Sequence, residues 1–363
     1  MADTLDTILR TTKVLYERIE NQLGAGKQGI DKLLFGEVDM DTSANFALDR
    51  YVVNPYGVTF RRAGEGSSVR PYNPGVGDIR EIPRTSQKTA ITEQLRDSVI
   101  AGLESTAGAA ASYTKMVGDI VKDHIGGYNS TRWFLSLRTM RTGKFTTYGM
   151  EGRDIDLEID FSRDVGNDIT YDFADASASI DSALKAMYAV YRSQRGSKGN
   201  LAVLLGSDWL EEFEGDTGVL EKMTANTANE VVALNMMPPE LQNTEGLYVV
   251  GRYRPEGMVV PLWILAYEPD AQFVQYEGAT AQDYMPSDEA LMFSVGAKRY
   301  SVYRGIEVIN NAGRIDRVVG EMVFDTYISK DPIAEYIRSA ARFAFIPGDV
   351  NHTVRSTGIF SDS

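Results

Sequence analysis

Cysteine is absent from this 363-residue chain, which excludes disulfides, thiolate metal sites and cysteine nucleophiles; the redox compartment stays open, and a cytosolic origin is compatible. Histidine is nearly absent, with only His124 and His352. A Ser-His-Asp triad or a histidine metal site would have to use one or both, and they stand far apart in unlike contexts, so both read as surface or interface residues. Long apolar runs are lacking too. The longest, Met258 to Tyr267, is about half a bilayer span and contains Pro261, and the opening MADTLDTILR is acidic without an apolar stretch. These features predict a soluble protein with no membrane segment and no secretory signal. Basic charge is the last shortage: 37 Lys and Arg against 51 Asp and Glu leave −14, which argues against wrapping nucleic acid, whose affinity comes from cations on phosphates.

What is present is an ordinary folding composition, 43% hydrophobic, over a length that fits two or three packed units. Leu5, Ile8, Leu9, Thr12, Tyr16, Ile19 and Leu23 fall at helical spacing after Asp3, a suitable N-cap, and predict an amphipathic helix ending at Gly24. The following GAGKQG, Gly24 to Gly29, matches G-x-G-x-x-G by letter but follows a helix instead of a strand, so it reads as a flexible linker. Residues 50 to 90 are rich in Gly, Pro and β-formers without a helical period, and predict a long open hairpin. Seven basic residues against three acids give that stretch +4 inside an acidic chain.

From Thr92 to Arg141 the sequence turns helical, with Gly126-Gly127 expected to bend or break the helix. Asp154 to Phe161 is the cleanest strand: Ile155, Leu157, Ile159 and Phe161 alternate with Asp154, Asp156, Glu158 and Asp160, one face buried and one wet. An EF-hand is excluded because its sixth and twelfth places hold Ile159 and Val165. Residues 176–195 predict an amphipathic helix capped by Asp175. Leu201 to Leu205 predicts a strand leading into a short helix, and 247–252 with 258–267 predict two strands around Pro255-Glu256-Gly257. This block reads as an α/β unit. The tail from Asp316 to Val354 is strand-like in parts and is expected to return to an earlier sheet. No G-x-S-x-G elbow, H-E-x-x-H, C-x-x-C or P-loop occurs, and pairs such as Glu211 and Glu212 are too common among 51 carboxylates to argue for a glycosidase.

Several stretches, in order, carry a resemblance: RRAGEGSSVRPYNPG (Arg61 to Gly75), TGKFTTYG (Thr142 to Gly149), LEIDFSRDVGNDIT (Leu157 to Thr170), AVLLGSDWLEEFEGDTGVLEKM (Ala202 to Met223), YMPSDEALMFSVG (Tyr284 to Gly296) and DPIAEYIRSAARFAFIPGDV (Asp331 to Val350). Together they make the chain resemble the lambda-type major capsid proteins of tailed bacteriophages. The resemblance implies an α+β tailed-phage capsid fold: an N-terminal arm (1–48), an extended hairpin loop (49–90), a peripheral domain with a long spine helix and a β-sheet (91–175 and 320–363), and an α/β axial domain (176–319). It places the spine helix within Tyr113 to Arg141, and puts the strand Asp154 to Phe161 and the C-terminal Tyr336 to Pro347 in one peripheral sheet. The first 48 residues match the family poorly.

The function implied is a non-enzymatic subunit, without cofactor or metal, that self-assembles through hexamers and pentamers into an icosahedral head. Its partners would be itself, a scaffolding protein, a portal and a decoration protein; it would enclose DNA without binding it specifically, in the virion and, during assembly, in the host cytoplasm. Expected intersubunit hairpin contacts are Arg61, Arg62, Arg70, Arg80 and Arg84, facing an acidic surface at Asp154, Asp156, Glu158 and Asp160, with Gly126 and Gly127 as a hinge. Some members of the wider fold class join subunits by Lys-Asn isopeptide bonds; an arginine-rich hairpin tip with Lys88 near its base implies a non-covalent shell. Two other readings stand beside this one: a bacterial cargo-enclosing nanocompartment of the same fold, and an α/β hydrolytic enzyme, the latter without its motifs.

Overall fold

A computed structural model describes residues 28–43, 45–47, 79–82, 84–92, 106–148, 155–175, 178–194, 200–219, 238, 241, 244–258, 260–268, 272–274, 280–309, 315–330, 333–348 and 350–360. The helix expected over 4–23 and the arginines at 61, 62 and 70 lie outside them. A short helix α1 (Ile30–Leu34) precedes β1 (Glu37–Asp41) and β2 (Asn45–Ala47). Then come β3 (Ile79–Glu81), β4 (Thr85–Ile91) and the long helix α2 (Thr106–Thr142), followed by β5 (Lys144–Tyr148), β6 (Ile155–Asp160) and β7 (Asp168–Asp172). The α/β block holds α3 (Ile180–Ser193), β8 (Asn200–Leu205), α4 (Ser207–Gly215), β9 (Leu247–Tyr253), β10 (Leu262–Tyr267) and β11 (Glu289–Val295). The chain returns through β12 (Tyr300–Arg304), β13 (Ile306–Ile309), β14 (Ile315–Val318), β15 (Val323–Lys330), β16 (Ile333–Ala341), β17 (Phe343–Ile346) and β18 (Thr353–Ile359).

The centre is a mixed six-stranded sheet in the order β7-β18-β11-β8-β10-β9. Its middle strands are apolar on both faces because both are covered, which explains the unbroken LAVLL that sequence alone shows as a buried strand. Leu201, Val203 and Leu205 point with Leu262, Ile264, Ala290 and Met292 into one cluster, where α3 supplies Ile180, Leu184 and Met187, and α4 supplies Trp209 and Phe213. The alternate residues Ala202, Leu204, Trp263, Leu265, Leu291 and Phe293 enter a second cluster with Phe134, Leu137 and Met140 of α2. Behind them sits the sheet β1-β12-β17, which adds Val302, Phe343 and Phe345. Period-two alternation thus divides one sheet between two cores.

Helix α2 joins the cores. Its last turns are buried on most sides, while Val117, Val121 and Ile125 in its earlier half meet Ile91 and Ile337 of the antiparallel sheet β15-β16-β4. Buried Thr139 and half-buried Thr131 and Thr142 hydrogen-bond back to the carbonyls four residues earlier, and the Thr142 hydroxyl also accepts from the Lys144 N–H (3.2 Å). Gly143, at φ +69°, ends the helix by donating its N–H to Thr139 O (2.9 Å), a left-handed position that suits glycine.

Several expectations are corrected. The helix runs unbroken through Gly126-Gly127. A Cβ on Gly127 would come within 2.8 Å of Gln87 Nε2, so this glycine lets β4 approach the helix, whereas Gly126 faces open space. Within residues 28–47, expected as arm, Ile30, Leu33, Leu34 and Phe35 are buried in the core, and β1, mostly exposed, pairs in parallel with β12. Gly29 is packed, with Trp133 and Asp31 where its Cβ would be, so it is no free linker. The hairpin's return strand is β3, while Thr85–Ile91 leaves it to pair with β16. Among the described strands β6 pairs with β5 alone, so it shares no sheet with β16 or β17. Strands β7 and β18, expected in the peripheral unit, join the sheet of the α/β block. Helix α3 starts at Ile180 because Ser179, not Asp175, caps it, its hydroxyl accepting from Ser182 N–H (3.2 Å).

Candidate assembly surface

Strands β2 and β3 form an antiparallel base, Asn45 opposite Glu81 and Ala47 opposite Ile79, that pairs with no other described strand. Residues 48–78 run between its two strands. Three ties hold the base to the body: Gly305, whose missing Cβ makes room for Thr42 O, the buried Ile82, and an ion pair from Arg342 to Glu81 (3.0 Å). Arg80 is opposite Phe46 in this ladder, and its side chain is outside the described set. Arg84 follows β3 and is exposed, and among the described residues it makes no hydrogen bond or ion pair. Its pKa is lowered by partial burial and then by Arg338 and Arg342, against the pull of Asp325 and Glu307. Those carboxylates are already engaged, Asp325 by a two-pronged contact with Arg338 and Glu307 by Arg317 (3.0 Å). Arg84 is therefore a surplus cation at the foot of the hairpin.

The predicted acidic strand carries its own counter-charge. Lys144, across the ladder on β5, reaches Glu158 and Asp160 at 3.1 Å each. The Ser162 N–H holds the Asp160 carboxyl below the usual range, with Lys144 assisting and slight burial opposing. Further on, Asp168 accepts from Arg163 (3.2 Å) and Arg355 (3.0 Å). Much of the negative field in 151–175 is thus consumed within the chain. Asp154 and the side chain of Asp156 lie outside the described residues.

Sequence reasoning missed three buried arginines that fasten residues 28–41. Arg132 of α2 binds Asp31 and Glu321 (2.8 Å to the latter) between the rings of Tyr128 and Tyr303. Burial works against its charge, but Asp31, the two tyrosines and Glu321 outweigh burial and raise its pKa. Burial likewise opposes the charge of Glu321, and Arg132 with Lys32 overcomes it, holding that carboxyl low. Arg304 reaches Asp39 at 3.0 Å. Arg299, 1% exposed, donates to the Leu34 carbonyl (3.4 Å) and lies over the Phe293 ring; among the described residues its Nη2 has no partner, and burial, against the pull of Tyr191, takes its pKa down to about 10. The short apolar run Ile30, Leu33, Leu34, Phe35 was the sequence signal for an embedded segment.

A second polar junction ties the end of α2 to the central sheet. Arg141 grips Glu289 of β11 with two bonds (2.7 and 3.0 Å), and Arg163 donates to the Arg141 and Asn167 carbonyls, placing a cation at the helix C-terminus where the dipole favours it. The two histidines stay apart in role: His124 bonds Thr89 of β4 (2.9 Å), and His352 sits in a short 3-10 turn before β18. Among the described residues no helix is long and apolar enough to cross a membrane.

A crystal structure of the protein assigned as a capsid protein of an E. coli CFT073 prophage superposes on 94% of this chain and 98% of its own, with TM-score 0.60 at 14% identity. The chain has the tailed-phage capsid fold. The capsids of Ralstonia phage GP4 (TM-score 0.44, 11% identity, 90% of this chain and 86% of that one) and cyanophage P-SCSP1u (0.43, 10%, 93% and 90%) are more distant. No family model and no curated protein matches the sequence.

Proposed function

We propose that this chain is the major capsid protein of a tailed phage, a structural subunit that assembles with copies of itself through hexamers and pentamers into an icosahedral, DNA-enclosing head. The observation that carries the reading is the capsid fold over 94% of the chain. Supporting it is the β2-β3 base, a two-strand ladder marginal by itself and suited to a loop that completes its contacts on a neighbour. Arg84, with Arg80 and the loop arginines 61, 62 and 70, would steer that docking; such exposed pairs set register and rate more than affinity. With Glu158 and Asp160 already holding Lys144, the docking surface on the neighbour takes its charge from elsewhere in the chain as well. Scaffolding, portal and decoration proteins are the partners expected of such a subunit, in the host cytoplasm and then the virion. Lys88 lies on β4 over the Tyr336 ring (5.6 Å), in keeping with a non-covalent shell. Residues Gly126 and Gly127 remain the proposed hinge of any later rearrangement.

Electron microscopy of the purified protein, alone and co-expressed with its scaffold, tests the proposal. Shells, tubes or capsomers are expected. Only compact 40 kDa particles in both conditions would contradict it.

A further inference from the structure

One end of the central sheet carries a cavity with no part in the assembly surface. Strands β8 and β10 run parallel and side by side, and beyond their carboxyl ends lies a half-enclosed cavity of about 410 Å³. Open α/β sheets hold their ligands at this kind of place, and the volume falls in the range that small ligands use. Its walls are the start of α4 with Leu210, the end of β10 at Tyr267 and Glu268, and the stretch Asp283, Tyr284 and Met285. Gly206 makes the corner possible. A Cβ there would come within 2.1 Å of Pro286 O, so the turn from β8 into α4 presses backbone against backbone.

The sign of a ligand follows from what lines the cavity. Its charged groups are Glu268 and Asp283, both exposed, and no Lys, Arg or His among the described residues joins them. Gln272 Nε2 donates to Asp283 Oδ1 (2.7 Å) beside the Phe273–Gln282 bridge, which positions that carboxylate and leaves its second oxygen open. Glu268 is anchored by its own N–H on Gly246 O (2.9 Å), and its carboxylate has no ion pair among the described residues. A helix N-terminus favours an anion, but the Gly206 and Asp208 N–H groups already donate to Glu289 O (2.8 Å) and Ser287 O (3.1 Å). An anion would therefore meet two carboxylates and no cation. A hard divalent cation is served poorly as well, because it takes six or more oxygens and no group of three metal-ligating side chains occurs among the described residues.

The rest of the lining suits methylene groups. The Tyr267 and Tyr284 rings meet edge to face with centroids 5.8 Å apart, and Leu210 and Met285 add aliphatic wall. Tyr267 is only 7% exposed, and its hydroxyl has no partner among the described residues. We infer that this cavity binds a linear aliphatic polyamine, with its methylene chain on the tyrosine and aliphatic walls and its ammonium groups on Glu268 and Asp283. One lysine side chain of a partner protein would neutralise only one of the two carboxylates, which favours the free diamine. The inference goes beyond the capsid reading and does not depend on it, since the cavity lies within one chain.

Isothermal titration of the full-length protein with putrescine and with spermidine tests it, in about 0.1 M salt to screen the general pull of an acidic chain on cations. Saturable binding of one ligand per chain is expected. Butylamine, the same carbon chain with a single ammonium group, should bind roughly tenfold more weakly. Glu268→Gln with Asp283→Asn should abolish saturable binding, while Glu211→Gln with Glu214→Gln removes the same charge from the exposed side of α4 and should leave binding unchanged. Absence of saturable binding by the unsubstituted chain would overturn the inference, as would binding that survives in the cavity variant. Equal binding of butylamine or of N-acetyl-lysine amide would overturn it too, and would point instead to a single cationic side chain as the occupant. The comparison of amines needs no variant, so it decides the matter whatever the substitutions do to stability.

Discussion

Residues 28–41 and the hairpin base beside them differ sharply in how they are held. The first segment is pinned by Arg132, Arg299 and Arg304, from elements about 100 to 265 residues away, and buries Ile30, Leu34 and Phe35. The second is a three-residue ladder with one exposed ion pair and a surplus cation at its foot. On the capsid reading proposed above, a subunit that must fold alone and then join a shell needs both kinds of region. Contacts that define the monomer are desolvated and specific, whereas contacts reserved for a neighbour are left short of partners. Weak contacts of the second kind still suffice when many act together.

The largest expected effects fall on the pinned side. Asp31→Ala leaves Arg132 buried with only Glu321, and should cost about 3 kcal/mol in denaturant unfolding, since removing one member of a buried pair strands the other. Arg299→Met should do the reverse. It removes a lone buried cation while keeping its volume, and should leave stability unchanged or raise it by about 1 kcal/mol. Arg84→Glu, on the open side, should leave the monomer's Tm unaltered while assembly slows and becomes more sensitive to salt. If Arg84→Glu destabilised the monomer as much as Asp31→Ala, the contrast between the two regions would fail.

Smaller effects sharpen the picture at the spine helix. Gly126→Ala meets open space and should stabilise by about 1 kcal/mol through helix propensity, while Gly127→Ala must push Gln87 aside and should gain less or lose. His124 is buried between α2 and β4 with Nδ1 unpartnered, and burial, partly offset by Asp123, lowers its pKa from 6.5. Its neutral form is favoured in the fold, so its contribution is full above pH 6.5 and is lost as pH falls towards the lower folded value. Unfolding free energy measured between pH 7.5 and 5.5 should decline in the unsubstituted protein and flatten in His124→Gln.

Local pattern made the α/β block legible: alternating strands, the turn at Pro255-Glu256-Gly257 and the amphipathic α3 are each written within a few neighbouring residues. Glycine, proline and arginine marked the stretch expected as a hairpin, of which only the paired base at Asn45–Ala47 and Ile79–Glu81 lies within the described residues. What stayed hidden depends on residues distant in the chain. Nothing near Asp31 points to Arg132, and nothing in Gly126-Gly127 says that β4 lies against one glycine and not the other. Thr85–Ile91 is polar at every position through Thr89 and shows no alternation, so its departure from the hairpin to β16 is decided by pairing alone. Charge counting overstated the acidic surface for the same reason, because Lys144, Arg163 and Arg355 come from other strands and loops.

The most direct measurement replaces residues 50–77 by a short Gly-Ser linker joined to the β2-β3 base, and compares melting of the unassembled protein with shell formation by electron microscopy. The account predicts an unchanged Tm and no shells. Normal shells from the shortened chain would contradict it, because the loop would then have no part in joining one subunit to the next.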